Sequence, residues 1–152
     1  MLERFEKFTG AIYGIYRSIQ KIESYVMEKY GLKGSFAQYL VVMTRFKSGI
    51  TSVQLSNICE KDKAAVSRAV SDMEREGLIT RKREGANLYR AMLILTEKGE
   101  RAANKVCEMA AIAVESAGKG LDEENRKKLY HSLDLIAANL KEICKDGIGS
   151  EA

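Results

Sequence analysis

The sequence predicts a mainly α-helical fold with one small β-hairpin. Three observations carry that reading. Apolar residues recur at helical spacing through most of the chain, proline is absent, and two β-like runs flank one polar turn. Strand edges and turns draw on proline, so its absence favours long helices. At 152 residues the chain has the size of one domain, and with 45% apolar and 30% charged residues it can bury a core.

The first helix is the most regular. Phe5, Phe8, Ile12, Ile15, Ile19, Ile22 and Val26 recur at alternating steps of three and four. Such a stripe packs against another helix, in the same chain or in a second copy. The helix is expected to run to about Glu28, with Gly31 and Gly34 marking its end. Ser35 and Gln38 have the spacing of a capping box, opening a second helix that carries Tyr39, Leu40, Val42, Met43 and Phe46 and stops near Gly49. Thr51 and Gln54 form a second capping box, with Ile50 and Leu55 at the staple positions. The short third helix has Val53, Leu55, Ile58 and Cys59 as its expected core residues.

Asp62 suits the N-cap of a fourth helix, whose apolar face is Val66, Val70 and Met73 and which Gly77 ends. Ala64, Arg68, Ser71 and Arg75 fall roughly opposite that face, and Lys63 and Ser67 flank it. Leu78 to Arg83 and Tyr89 to Leu95 read as two strands around the turn residues Glu84 to Asn87. Thr96 caps a long helix carrying Ala102, Val106, Met109, Ala110, Ala113, Val114 and Ala117, which Gly118 and Gly120 interrupt. Leu121 and Asp122 open a last helix with Leu129, Leu133, Ile136, Leu140 and Ile143 on one face. The small polar tail after Asp146 is expected to fray.

Composition excludes several classes. The single histidine, His131, leaves no His-based metal site and reads as a surface or rim residue. Cys59, Cys107 and Cys144 are odd in number and far apart, so they make neither a disulfide framework nor a CxxC site, and a reducing compartment is expected. No serine-hydrolase elbow, phosphate-cradling glycine loop or HExxH occurs. Asp122, Glu123 and Glu124 read as helix-start acids favoured by the dipole rather than a catalytic pair. The expectation is a non-enzyme without metal or cofactor. The charged start has no signal-peptide pattern and no apolar run approaches the ~20 residues of a membrane helix, so a cytoplasmic protein without a membrane partner is expected.

The net charge is +4, unevenly spread: residues 1–90 hold 16 basic and 10 acidic side chains, residues 91–152 hold 9 and 11. A basic first part fits a nucleic-acid-facing module, and equally a scatter of charge over a solvated surface. The order of elements decides. Helix, short helix, tight turn, helix and basic hairpin make a winged helix-turn-helix. The major groove of B-DNA admits one α-helix with small and hydrogen-bonding side chains outward, and that helix's N-terminus offers free N–H groups to phosphate. The candidate contacts to double-stranded DNA are Ser52, Lys63, Ala64, Ser67, Arg68 and Ser71, with Arg81, Lys82, Arg83 and Arg90 from the hairpin.

These residues also resemble a family. The stretch from Thr51 to Glu100, above all DKAAVSRAVSDMEREGLI and LILTEKG, is similar to the MarR family of winged-helix regulators. The resemblance covers nearly the whole chain. It implies a homodimer built by helices at both ends and a repressor or activator at a palindromic operator. It also implies tuning by a small, often phenolic ligand or by thiol oxidation. On that pattern residues 1–34 and 97–146 form the helical dimerisation region, 35–96 the DNA-binding domain and 147–152 a flexible tail. The expected dimer interface includes Phe5, Phe8, Ile12, Ile15, Leu133, Ile136 and Leu140. Tyr13, Tyr16, Arg17, Tyr39 and Met43 are candidates for a pocket taking a small aromatic or anionic ligand, or else rim and core residues of the dimer.

One departure stands out. The family's wing carries Asp-x-Arg, whose arginine enters the minor groove, where this chain has Asn87, Leu88 and Tyr89, with Arg90 one residue later. Either Arg83 or Arg90 takes that role or minor-groove reading is weak. The alternatives to a DNA-binding repressor are a protein-interaction module and a thiol-based sensor. Cys59 and Cys107 read as buried, and Cys144, near the chain end, is the candidate for exposure.

Overall fold

The computed structural model describes residues 1–82 and 91–147. Six helices and one antiparallel strand pair follow in the order α1 Leu2–Lys29, α2 Ala37–Met43, α3 Ser52–Cys59, α4 Lys63–Arg75, β1 Ile79–Lys82, β2 Met92–Leu95, α5 Glu97–Ala117 and α6 Glu123–Asp146, with a 3-10 turn at Gly34–Phe36 before α2. The expected mainly helical winged helix-turn-helix is the fold found. Among the described residues no helix is long and apolar enough to cross a membrane.

Residues 1–113 form one compact unit and 114–152 a second. The first is built around Met27, Phe36, Leu40, Met43, Ile50, Leu55, Val66, Val70, Met73, Leu78, Ile79 and Leu93, each essentially fully buried. Val66, Val70 and Met73 are the i, i+4, i+7 face read from the sequence of α4. In the second unit Asp122 caps α6 by accepting from Asn125 N at 2.7 Å. There the Arg126 guanidinium lies against Gly118, where a Cβ would sit 2.6 Å from Nη1, and pairs with Glu115 at 3.3 Å.

Local chemistry sets most helix starts. Thr51 and Gln54 make the capping box: Gln54 N donates to Thr51 Oγ1 at 3.2 Å and Thr51 N donates to Gln54 Oε1 at 3.0 Å. Asp62 accepts from Ala65 N at 2.8 Å to cap α4. Thr96 does double duty: its hydroxyl accepts from Gly99 N at 3.1 Å and donates to Gly77 O at 2.7 Å, fastening the start of α5 to the end of α4.

Three expectations are corrected. Ser35 and Gln38 form no capping box: the 3-10 turn passes into α2 with Phe36 at the N-cap and no side-chain cap. Gly34 is seated so tightly on Ser24 of α1 that a Cβ would lie 2.4 Å from its hydroxyl oxygen, and this tertiary contact fixes the turn. Helix α2 stops at Met43 rather than near Gly49. The chain must reverse so that Ile50 can exchange two backbone hydrogen bonds with Leu93, and Gly49 makes the reversal at φ +102°. Val53 and Ile58 are exposed rather than core residues. The inner face of α3 is Leu55, Ser56 and Cys59, and buried Ser56 is matched by donating to Lys61 O at 2.7 Å as the turn folds over it. In α1 only Val26 and Met27 are buried, and Phe5, Phe8, Ile12, Ile15 and Ile19 of its stripe stand exposed in one chain, which leaves a second copy open as its partner.

Candidate nucleic-acid interface

Helix α4 presents two contrasting ends. Lys63, Ala64, Ser67, Arg68 and Ser71 are all exposed, on the side away from the buried Val66, Val70 and Met73. These are the small, hydroxyl and cationic side chains a groove requires, gathered in the first three turns. Ser52, at the start of α3, is half-buried beside the Thr51 cap. The turn between α3 and α4 runs through Glu60 in the left-handed conformation, φ 51° and ψ 43°.

The C-terminal half of α4 is acidic and engaged. Asp72 pairs with Lys33 Nζ and Arg75 Nη2, both at 2.5 Å, and these hydrogen bonds hold its carboxyl below the usual aspartate range. Glu74 accepts from Arg81 Nε at 2.8 Å. Sequence reasoning treated Arg81 and Lys82 alike; strand register separates them. Arg81 stands opposite Leu93, on the same face as the Ile79–Leu95 pair. That face is directed at α4, so Arg81 meets Glu74, while Lys82 alternates to the other face and is exposed. The two-residue step from buried Ile79 was the signal for this. Arg83 and Arg90 lie outside the described residues, as do the Asn87, Leu88 and Tyr89 positions of the wing.

The five candidate effector residues are not brought together within one chain. Tyr13 and Tyr16 are exposed on α1, whereas Tyr39 and Met43 are core residues. The reason is that α2 is only seven residues long and buries Ala37, Tyr39, Leu40, Val42 and Met43, most of its circumference. Burial, with Cys59 and Asp62 nearby, raises the Tyr39 phenol above its ordinary range. Met43 edges a hollow of about 210 Å³ shared with Phe46, Lys47, Ile94 and Glu100, while Arg17 edges a different, open one with Lys21 and Tyr25. Cys59 is buried, and that burial pushes its thiol up, away from the thiolate a sensor needs; Cys107 is half-buried and Cys144 exposed.

Of the expected interface residues, Phe5, Phe8, Ile12 and Ile15 are exposed on α1, and Leu133 and Leu140 on α6. Ile136 is half-buried. Among the described residues, no three His, Cys, Asp or Glu side chains are grouped to hold a metal.

Comparison with known proteins fits this architecture. The sequence model of the MarR family matches residues 30–87, which span the helix-turn-helix and the first arm of the wing. Among curated proteins none matches significantly. Among solved structures, a MarR transcriptional regulator from Methanosarcina mazei Go1 is similar with a TM-score of 0.80 and 26% identity, covering 91% of this chain and 99% of the other. A MarR family transcriptional regulator from Listeria monocytogenes, complexed with a 26mer DNA, has a TM-score of 0.79 and 24% identity over 95% and 97%. The Staphylococcus aureus MarR in complex with salicylate and kanamycin has a TM-score of 0.78 and 17% identity over 92% and 94%. The family's sequence pattern lies on the helix-turn-helix and structures of its members match over most of the chain, so this chain is similar to the MarR family of winged-helix regulators.

Proposed function

We propose that the chain is a transcriptional repressor that binds double-stranded DNA as a homodimer on an inverted repeat. The observation that carries this reading is the outward face of α4, with Ser67, Arg68 and Ser71 exposed over the first turns and Lys63 at its start. Base edges are read by Arg68 and the serines, and Ala64 leaves room for a thymine methyl. Lys63 and Lys82 anchor phosphate, and Ser52 sits at a helix start suited to the same task. The L. monocytogenes regulator complexed with DNA supports this.

On this reading residues 35–96 bind DNA, 1–34 and 97–146 dimerise, and the protein works in the cytoplasm. The exposed apolar residues of α1 and α6 are the surfaces a second copy covers. Release by a small aromatic or anionic ligand follows the salicylate complex of the S. aureus MarR. The test is selection from random DNA followed by salt titration. An inverted repeat with half-sites about one turn apart, roughly 34 Å, is expected, with affinity falling steeply with salt. No enriched repeat, or binding that ignores salt, returns the protein to the interaction-module reading.

A further inference from the structure

The acids at the end of α4 stand where a helix least favours them. A helix C-terminus carries partial negative charge, so Asp72 and Glu74 in the last turn and Glu76 at the C-cap cost stability unless something answers them. The answers come from other elements. Lys33, in the link between α1 and the 3-10 turn and 39 residues away in sequence, reaches Asp72. Arg81 of β1 reaches Glu74. Lys98 of α5 donates to the Glu76 carbonyl oxygen at 2.8 Å. Three cations from outside the helix, one in a link and two in other elements, therefore converge on one end of the recognition helix, while its N-terminal turns stay exposed.

The Lys33 contact has a further connection. Its neighbour Gly34 is seated against Ser24 of α1 with no room for a Cβ. Lys33 thus starts from a backbone held on α1 and ends on Asp72, and Asp72 is itself steadied by Arg75 from within α4. Any tilt of α1 against the winged helix moves the anchor of Lys33.

We propose that Lys33 is a positioning residue, which through Asp72 fixes the orientation of the recognition helix relative to α1 and so couples α1 to DNA affinity. The proposal rests on the DNA-binding reading for its consequence, not for the tie itself. Lys33 lies 58% exposed and Asp72 26%, so the tie is modest, of the size of a partly exposed ion pair.

Charge sign makes the test sharp. Asp72→Asn removes a negative charge beside the DNA-facing helix and relieves an unfavourable helix dipole; acting by general electrostatics alone it tightens DNA binding. If the tie positions α4, Asp72→Asn weakens operator binding instead. Lys33→Met does the same, and the two together do no more than either alone. The full-length protein is examined as wild type, each single variant and the double variant. Hydrogen exchange of the α4 amides and affinity for the selected inverted repeat are measured. The expected result is exchange in α4 faster by roughly two- to fivefold in both single variants, with α5 amides unchanged, and operator affinity lower by a similar factor. Tighter binding by Asp72→Asn, or unaltered α4 exchange in both variants, overturns the proposal. A salt slope flattened by about one unit in Lys33→Met alone also overturns it, because Lys33 is then a phosphate contact. Should the wild type select no DNA, the DNA-binding reading fails and the exchange measurement still judges the tie.

Discussion

Glu60 is the only described non-glycine residue with positive φ. It turns the chain between α3 and α4, where its own N–H donates to Asn57 O and the next, Lys61 N–H, to Ser56 O. A side chain in the left-handed region costs about 1–2 kcal/mol, and asparagine tolerates it better than glutamate. Glu60→Asn is therefore expected to raise stability by about 0.5–1 kcal/mol in a denaturant titration, and a lowered midpoint would show the turn is not strained. Gly99 is the opposite case. A Cβ there would lie 2.0 Å from Leu78 O, a backbone atom that cannot step aside. Gly99→Ala should lose about 2–3 kcal/mol by the same titration, through overpacking where α5 meets the wing. The thiols divide by burial in the same way. Exposed Cys144 should react first with a thiol reagent on the native protein, and buried Cys59, its thiol pushed up, only on unfolding. Equal rates for the two would mean that α3 opens readily.

At the scale of elements, Arg81 and Lys82 give the sharpest contrast. Lys82→Ala should weaken binding to all DNA sequences alike and flatten the salt slope by about one unit. Arg81→Ala should flatten it less, because Glu74 already neutralises that charge. Arg68→Ala should cost ~1–3 kcal/mol on the operator and relax discrimination there; equal loss on random DNA would make Arg68 a backbone anchor instead. The tie at Asp72 adds a pH dependence. Its folded pKa lies below the unfolded value, so its contribution is present above the unfolded aspartate range and is lost as pH falls through the folded value. What the sequence made legible follows from how local the cause is. The Thr51, Asp62 and Asp122 caps each depend on residues at most three apart, and all three form as read. The Ser35 cap looked equally good and fails, because Gly34 against Ser24 is a contact ten residues long that no local pattern announces. The face of α4 was legible from its 3.6-residue period, whereas the pairing of its acids with Lys33 and Arg81 needed the tertiary fold. Val53 and Ile58 misled because an eight-residue helix offers too little periodicity to choose a face.

At the scale of the whole molecule the unanswered quantity is apolar surface. Phe5, Phe8, Ile12, Ile15 and Ile19 stand exposed along one face of α1, and Leu129, Leu133, Leu140 and Ile143 along one face of α6. Soluble monomers rarely leave such contiguous patches in water, so these faces call for a partner. The inverted repeat proposed above would call for the same partner, because a two-fold operator is read by a two-fold protein. The N-terminal half of α1 can be tested without threatening the fold, since its buried residues, Val26 and Met27, are both at the far end. Ile12→Glu with Ile15→Glu is expected to shift a micromolar dimer towards the 17.0 kDa monomer in sedimentation, with helix content by circular dichroism retained. Two charges placed in an apolar interface are costly unless paired, and the aqueous monomer does not incur that cost. The monomer should then lose operator affinity by roughly 10²–10⁴, the advantage of engaging two half-sites together, while keeping weak, salt-sensitive binding to DNA of any sequence. That residual binding separates a lost dimer from a lost recognition helix: a damaged α4 would lose selectivity with the dimer intact. A wild-type protein that sediments only as a monomer at micromolar concentration, or a double variant that stays dimeric, removes α1 from the interface and with it the reason for its stripe.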